Sequence, residues 1–409
     1  MDKILLILFI LIISSSFGVN EDTLLYNAKT NEQKAQVYLN ICDSLKNNNV
    51  YFGNYSSLAL EYALKSKNKK LIGQSYKFEG ITQADTGSYV LALESFQTSI
   101  SYSLEVSDEL SLGSVYNNIG AIYYYQRNLQ KAAENWEQAL RIFVKNNNKS
   151  SAAVCYNNIG LLNNSIGNNE KALNNFKKAA TIFEEIDATV KLTHIYVNIG
   201  IIEQDNANYE SAIYYFKKSI YLKKILNDDK GISIAYNNIA MVYSKQKEYV
   251  LAEEYFKKAI LLKKQYLDKN GLMLTYMNLI DCYISQKKYD DAIKYCKKGL
   301  DISNIEETVN NKAIFYKYLS NLYKIKKDNK KSEYYFLLYN DINDSLIQYQ
   351  DSIIISTLIQ KTDSLKFKND IDITTDVKYD LSLMIIFSII GILIFILVVI
   401  LFYKNKKSS

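Results

Sequence analysis

Apolar, aromatic and small residues recur along this chain with a period of forty residues. The clearest marker is a tyrosine, found at Tyr76, Tyr116, Tyr156, Tyr196, Tyr236, Tyr276 and Tyr316. Four residues after most of these comes a small residue, sixteen after comes another, and twenty after comes an aromatic one, as in Gly120, Ala132 and Trp136. Units of this length cannot each bury a core, so they must stack on their neighbours. The period predicts seven stacked units over residues 73–340.

The spacing inside one unit predicts a pair of helices. Tyr116 and Gly120 are four residues apart and therefore share one face of a helix. Ala132 and Trp136 share a face of a second helix in the same way. The short polar segment 126–128 between them suits the turn of an antiparallel helical hairpin. Each unit is thus predicted to be one hairpin, with its small residues where the two helices press together.

The full pattern, aromatic-x-x-apolar-Gly-x-x-Tyr followed by Ala-x-x-x-aromatic-x-x-Ala, resembles the tetratricopeptide repeat (TPR). The resemblance implies an all-α, right-handed TPR-type α-α solenoid of about eight helical hairpins, including a degenerate hairpin in residues 19–72. A standard TPR has about 34 residues, so we expect the extra residues between Ile142 and Ala152, and at equivalent places, to lengthen the helices or the turn. The chain has no proline to end its helices. We therefore expect glycines such as Gly231 and Gly271 to break them in the left-handed conformation.

The two ends of the chain predict where it works. Residues 1–18 combine an early lysine, an apolar run and small residues at Ser16 and Gly18, which is typical of a cleaved signal peptide. Residues 381–403 carry no charge and as a helix would span about 35 Å, enough to cross a membrane. Lysines follow in the tail, residues 404–409. We therefore expect a single-pass inner-membrane protein with its repeats in the periplasm and its C-terminal tail in the cytoplasm. A smaller alternative is a eukaryotic dilysine retrieval signal at Lys406 and Lys407.

Composition limits the chemistry that we expect. The net charge is only +6, and lysine pairs on the second helices, such as Lys177-Lys178 and Lys217-Lys218, are predicted to face solvent rather than nucleic acid. The four cysteines have no ligand spacing and there is one histidine, so we expect no metal site. A Cys282–Cys296 disulfide is the minor alternative to free thiols. No phosphate loop, nucleophile elbow or paired carboxylates are present, and we expect neither a cofactor nor enzymatic activity.

Asparagines supply the candidate binding site. One stands two residues after five successive repeat tyrosines, at Asn118, Asn158, Asn198, Asn238 and Asn278, and a second precedes it at Asn117, Asn157 and Asn237. In the TPR family this position of the first helix lines the inner groove, so the resemblance implies that these side chains hold a partner. A carboxamide both donates and accepts hydrogen bonds, which suits a peptide backbone. We expect their replacement to cost little stability. The alternative is that duplication copied them in an asparagine-rich sequence.

The segment after the repeats connects them to the predicted span. Residues 341–380 are predicted to form a connector helix and a juxtamembrane linker, and the helix either caps the solenoid or pairs with a second copy as a homodimer. The sequence from Tyr339 to Leu346 resembles the junction in Bacteroidetes membrane regulators that join periplasmic TPRs to a cytoplasmic kinase or DNA-binding domain. The resemblance implies the sensing half of such a system, with a separate membrane kinase or regulator as partner. The alternative is a static envelope scaffold or assembly factor.

Overall fold

The computed structural model describes residues 25, 27–47, 52–306 and 308–345, and these residues form helices and turns without any strand. Fifteen helices have both ends within them: α1 (Asn31–Asn47), α2 (Gly53–Ser66), α3 (Lys69–Asp85), α4 (Tyr89–Glu105), α5 (Glu109–Tyr125), α6 (Leu129–Lys145), α7 (Lys149–Ser165), α8 (Asn169–Glu185), α9 (Thr189–Asp205), α10 (Tyr209–Ile225), α11 (Asp229–Lys245), α12 (Tyr249–Gln265), α13 (Lys269–Ser285), α14 (Tyr289–Ile305) and α15 (Val309–Ile325). A sixteenth helix begins at residue 329 and is helical through residue 345. The predicted all-α solenoid is confirmed.

The chain divides into two compact units, residues 1–302 and 303–409. In the first unit each helix from α1 to α13 packs against the next one in chain order, as stacked hairpins require. Successive odd-numbered helices also contact each other, for example α3 with α5 and α11 with α13. In the second unit α15 packs against the helix that starts at residue 329. There the Ser320 and Ser332 hydroxyls each donate to the other residue's carbonyl oxygen at 3.0 Å.

Most of these helices have 17 residues and are separated by three-residue turns. In the turn after α5, the Asn128 N–H donates to Tyr123 O at 2.8 Å and the Arg127 N–H donates to Tyr124 O at 3.0 Å. This pair of bonds satisfies carbonyl groups that a helix end otherwise leaves unpaired. The extra residues of each repeat, relative to a standard TPR, therefore lengthen the helices and leave the turn short.

The left-handed turn residue is mostly not glycine, which corrects the sequence expectation. Arg127 adopts φ 62°, and the equivalent places after α10 and α12 are Asn227 at φ 53° and Leu267 at φ 55°. Gly231 and Gly271 instead lie in the first turns of α11 and α13. The turn is therefore fixed by its two backbone hydrogen bonds, which outweigh the roughly 1–2 kcal/mol that a left-handed conformation costs a residue with a Cβ.

Gly231 has a different purpose, next to the N-cap of α11. The Asp228 side chain accepts from the Gly231 N–H at 2.8 Å and also from the Lys223 ammonium at 2.7 Å. A Cβ on Gly231 would lie 2.1 Å from Asp228 Oδ2 and 2.2 Å from Lys223 Nζ. The glycine thus makes room for a capped helix start and for a lysine that is almost fully buried. Asp108, Asn128, Asn148 and Asn168 cap their helices with the same kind of bond.

The core of each hairpin is a close approach between a small residue and an aromatic ring, as predicted. A Cβ on Gly120 would lie 2.6 Å from the Trp136 ring, and one on Gly160 would lie 2.6 Å from the Phe176 ring. Gly80 with Phe96 and Gly200 with Phe216 repeat the arrangement. Trp136 is 2% exposed, and burial of a side chain of this size contributes about 1.5–3 kcal/mol or more to stability. The glycine–ring contact is the packing unit that recurs along the solenoid.

One hairpin inverts these volumes. At the positions that hold a small residue and a large aromatic residue in the other repeats, α13 carries Ile280 and α14 carries Cys296, and both side chains are 0% exposed. The larger residue on the first helix takes the space that the smaller residue on the second helix leaves. The total volume is roughly conserved, which is the kind of exchange that a close-packed core tolerates best.

The number of helices is larger than the sequence predicted. Leu25 and Asn27 are helical ahead of α1, so the helices outnumber those of about eight hairpins. Helix α3 begins at Lys69, and the last described helix continues from residue 329 past residue 340 without a break. Within residues 25, 27–47, 52–306 and 308–345, no helix has the length and apolar character to span a membrane. The predicted signal peptide, residues 1–18, and the predicted span, residues 381–403, lie outside the described residues.

Candidate functional site: the first-helix face

The predicted asparagines lie on the surface formed by α3, α5, α7, α9, α11 and α13, which we call the first-helix face. These are the helices that contact each other directly from one hairpin to the next. The described asparagines of both rows are half-buried, apart from Asn237, which is 5% exposed. The structure therefore brings the eight predicted residues onto one face, between neighbouring hairpins.

Three hydrogen bonds join these asparagines in pairs across the boundaries between repeats. Asn158 Nδ2 donates to Asn117 Oδ1 at 3.0 Å. Asn198 Nδ2 donates to Asn157 Oδ1 at 3.0 Å. Asn278 Nδ2 donates to Asn237 Oδ1 at 3.1 Å, in each case over 41 residues. The two rows of asparagines are thus donors and acceptors of one ladder, in which the later residue of one hairpin holds the earlier residue of the hairpin before it.

The ladder is interrupted at two places for a reason visible in the sequence. Asn118 and Asn238 would need an acceptor at residues 77 and 197, but Lys77 and Val197 stand there. Neither side chain makes a hydrogen bond within the part of the chain that the structure describes, and Asn118 Nδ2 is a buried donor without a partner there. A buried donor left without a partner costs about 1–3 kcal/mol, so a rotation of this half-buried side chain that brings the amide to an acceptor would be favourable.

The ladder changes what these residues contribute to stability. Removing Asn158, Asn198 or Asn278 would leave the partly buried carboxamide oxygen of its partner without its donor, so the expectation of a low structural cost does not hold there. It holds better for Asn118 and Asn238, which have no such bond. Some ladder residues make a second bond, since Asn117 Oδ1 also accepts from the Cys155 thiol at 3.8 Å and Asn157 Nδ2 donates to Asn158 Oδ1 at 3.3 Å. Each carboxamide nevertheless keeps part of its bonding capacity, because it has two N–H groups and two oxygen lone pairs.

The ladder does not continue to Lys77, a charged residue at the position that Asn117 and Asn157 hold in their repeats. Its ammonium lies 4.6 Å from the centre of the Phe78 ring. Desolvation lowers the pKa of Lys77 to about 8, with a further lowering by the Lys46 charge and opposing effects from Asp43 and Asp108. A lysine cannot accept a hydrogen bond while it is protonated. Asn118 therefore has no acceptor at this position.

A cleft opens beside Asn118 at the first-helix face. It has a volume of about 140 Å³ and is lined by residues of α3, α4 and α5. Ile81, Phe96 and Ile122 supply apolar walls, and Asp85 and Tyr125 lie at its mouth. Burial raises the pKa of Asp85, while the charge of Lys46 lowers it. Sequence reasoning marked Asn118 but missed the cleft, because its other residues come from positions that carry different side chains in other repeats.

The second helices present the lysine pairs outward, as expected. The Lys177 side chain is 51% exposed. The second lysine of each pair also covers an aromatic ring, with the Lys218 ammonium 4.9 Å from the Tyr196 ring centre and Lys298 4.8 Å from that of Tyr295. These lysines thus lie over tyrosine rings of the repeats, within the distance of a cation–π contact.

The thiols and metal-ligating residues form no site among the described residues. No three His, Cys, Asp or Glu side chains come together there in a way that could hold a metal ion. Cys42, Cys155, Cys282 and Cys296 are free and buried, so no Cys282–Cys296 disulfide is present. Burial raises the pKa of Cys155 to about 12. A thiol of this kind behaves as a small apolar residue rather than as a nucleophile.

Comparison with protein families decides the identity of the repeat. Profiles described as "Tetratricopeptide repeat" match residues 111–185 and 192–265, and a second such profile matches residues 275–305. The first two segments contain the glycine–ring contacts of Gly120, Gly160 and Gly200. These three segments are tetratricopeptide repeats. No curated protein matches its sequence.

Solved TPR structures share the fold at low sequence identity. Aspartyl phosphate phosphatase F from Bacillus subtilis is 20% identical, with 71% of this chain and 75% of that chain covered and a TM-score of 0.52. A signal-transduction ATPase with a TPR sensor from Pyrococcus horikoshii is 18% identical, with 79% and 55% covered and a TM-score of 0.59. A Rap protein complexed with competence and sporulation factor is 15% identical, with 82% and 99% covered and a TM-score of 0.50. At these identities the likeness shows the fold alone.

Proposed function

We propose that this TPR protein is a binding module that captures a peptide or protein along its first-helix face. The observation that carries the proposal is the set of carboxamides there with unused bonding capacity, above all the buried Asn118 Nδ2, which has no partner within the described residues. A row of side chains that both donate and accept can hold a peptide backbone with little regard for its side chains. A Rap protein that is similar in fold has been solved in complex with competence and sporulation factor, which is a precedent for partner binding by this fold.

We further propose that the module is anchored in the inner membrane with its repeats in the periplasm. The support is the apolar run of residues 1–18, the uncharged residues 381–403 and the lysines that follow them. In this arrangement the connector segment after the repeats passes the binding event to a membrane partner, a separate kinase or regulator. The protein then serves as the sensing part of a signalling system.

The test of the binding proposal is capture by the full-length chain from an envelope extract. The informative variant replaces Asn118 and Asn238 with alanine, because neither side chain makes a hydrogen bond within the described residues. The matched control replaces Asn135 and Asn175 of the second helices, whose side chains bond only to Lys131 O and Lys171 O at 2.8 Å. We expect partner recovery to fall severalfold in the first variant and to stay unchanged in the control.

The partner bands are then identified by mass spectrometry, and both variants are checked by circular dichroism. Equal recovery by wild type and by the Asn118/Asn238 variant would contradict the proposal. It would place binding on another surface or leave the ladder as a purely structural element.

A further inference from the structure

Three features of the cleft beside Asn118 together indicate the kind of ligand that would fit it. Its walls are apolar, with Phe96 and Ile122 almost fully buried. Its volume of about 140 Å³ is close to the roughly 150 Å³ of an apolar protein cavity known to hold benzene. One aromatic ring or one branched aliphatic side chain therefore fits in it.

The first polar feature is the donor. Asn118 lines the cleft, and its Nδ2 is buried without a partner within the described residues. The side chain as a whole is half-buried, so its rotation would bring the amide to a group that enters the cleft. In the repeats where the same position is satisfied, Nδ2 points to a carboxamide oxygen of the preceding hairpin. The group that replaces that oxygen must also be an acceptor, and a peptide carbonyl is the closest chemical equivalent.

The second polar feature is the negative charge at the mouth. Asp85 is the last residue of α3, where the helix end already carries partial negative charge, so the two act in the same sense. Within the described residues its carboxylate has no ion pair, and Lys46 is the cation whose charge affects its pKa. A cation brought close to Asp85 would therefore gain from both the carboxylate and the helix end.

We propose that this cleft binds one apolar side chain of an extended peptide, whose backbone carbonyl accepts from Asn118 Nδ2 and whose adjacent lysine or arginine pairs with Asp85. This assignment rests on the proposed peptide-binding function and specifies its sequence preference: an apolar residue followed or preceded by a basic one. Single-residue pockets for side chains commonly supply specificity where backbone bonds supply affinity.

The test uses the purified full-length chain in mild detergent and three short peptides, acetyl-Ala-Phe-Lys-Ala-amide, acetyl-Ala-Phe-Glu-Ala-amide and acetyl-Ala-Ala-Lys-Ala-amide. Dissociation constants are measured by calorimetry, and selective labelling of asparagine follows the Asn118 amide by NMR. We expect the Phe-Lys peptide to bind best and to shift the Asn118 amide. Wild-type protein that binds the three peptides equally, or none of them, overturns the proposal.

Two variants separate the contributions. Asn118→Leu removes the unpartnered donor without removing a bond of the fold, and we expect it to weaken the Phe-Lys peptide about twofold to tenfold, the loss of one hydrogen bond. Asn175→Leu, on the second helix α8 and outside the first-helix face, is the control and should leave binding unchanged. Asp85→Asn should abolish the preference of the chain for Phe-Lys over Phe-Glu. Retention of that preference in Asp85→Asn, or of full affinity in Asn118→Leu, overturns the assignment.

The same data separate this proposal from the broader one. If envelope capture depends on the first-helix face while the short peptides bind without regard to Asn118 and Asp85, the cleft is not the specificity pocket and the binding module stands. If capture is also independent of the first-helix face, both proposals fail.

Discussion

The cross-repeat ladder makes a prediction about two asparagines that a sequence comparison would treat as equivalent. Asn238 and Asn278 occupy the same position of successive repeats, but Asn278 donates to Asn237 Oδ1 at 3.1 Å and Asn238 faces Val197. Asn237 is only 5% exposed. Asn278→Ala therefore leaves a buried carboxamide oxygen without its donor, which costs about 1–3 kcal/mol, whereas Asn238→Ala should cost less than about 0.5 kcal/mol.

Two further variants test the reasoning in opposite directions. Replacing both partners, Asn237→Val with Asn278→Ala, removes the unpaired group as well as the bond, so the pair should cost less than Asn278→Ala alone. Val197→Asn should create the missing link to Asn238. Its net effect is small because Val197 packs against the core of its hairpin, but its coupling to Asn238→Ala in a double-mutant cycle should be about 0.5–1.5 kcal/mol.

The assay is urea denaturation followed by far-UV circular dichroism, with hydrogen exchange of α11 and α13. Local exchange is needed because repeat proteins unfold in parts rather than in one step. Asn278→Ala should speed exchange in both helices. The reasoning is refuted if Asn278→Ala and Asn238→Ala destabilise the protein equally, or if Val197→Asn shows no coupling to residue 238.

Three other outcomes are expected. Gly231→Ala should destabilise the α10–α11 junction by about 1–2 kcal/mol in urea titrations. The reason is that displacing Asp228 and Lys223 costs more than the roughly 1 kcal/mol by which alanine favours a helix over glycine. A stabilised variant would contradict this. The pKa of Lys77 is lowered to about 8 in the folded state. Between about pH 8 and 10.5 the folded state therefore binds fewer protons than the unfolded state, and the stability of the protein should rise with pH through that window. Lys77→Met should flatten this rise and stabilise the protein by about 1–3 kcal/mol at neutral pH; unchanged pH dependence would count against a desolvated ammonium. Protease added to spheroplasts should digest the repeats and spare a reporter fused after Ser409, whereas protected repeats would disprove the proposed topology.

The sequence predicted the hairpins well because their contacts repeat the same residue types. A small residue such as Gly120 and a large ring such as Trp136 are needed together wherever two helices approach this closely. Their spacing therefore recurs in the sequence and can be recognised without a structure. The turns were predicted less well. Their left-handed position holds Arg127, Ala207 or Leu267, and no side chain marks it, because backbone hydrogen bonds rather than glycine decide the conformation.

The candidate site shows the same limit. The two rows of asparagines were visible as neighbours in the sequence, but the bonds join residues 41 apart in different hairpins. From the sequence, Asn117 and Asn158 therefore look like members of two parallel rows. In the structure Asn117 is the hydrogen-bond acceptor and Asn158 is its donor. Whether a given asparagine is used depends on the residue of the preceding repeat, as Lys77 and Val197 show.

The inverted volumes of Ile280 and Cys296 bear on how the chain finds its native pairing. Near-identical hairpins can dock with the wrong neighbour while the chain folds, a known hazard of repeat arrays. A helix that carries Ile280 would clash with a phenylalanine-bearing partner, and a helix that carries Cys296 would leave a void against a glycine-bearing one. Each mismatch costs on the order of 1–3 kcal/mol. We therefore expect the volumes of Ile280 and Cys296 to favour the pairing of α13 with α14 over the pairing of either helix with a helix of another repeat.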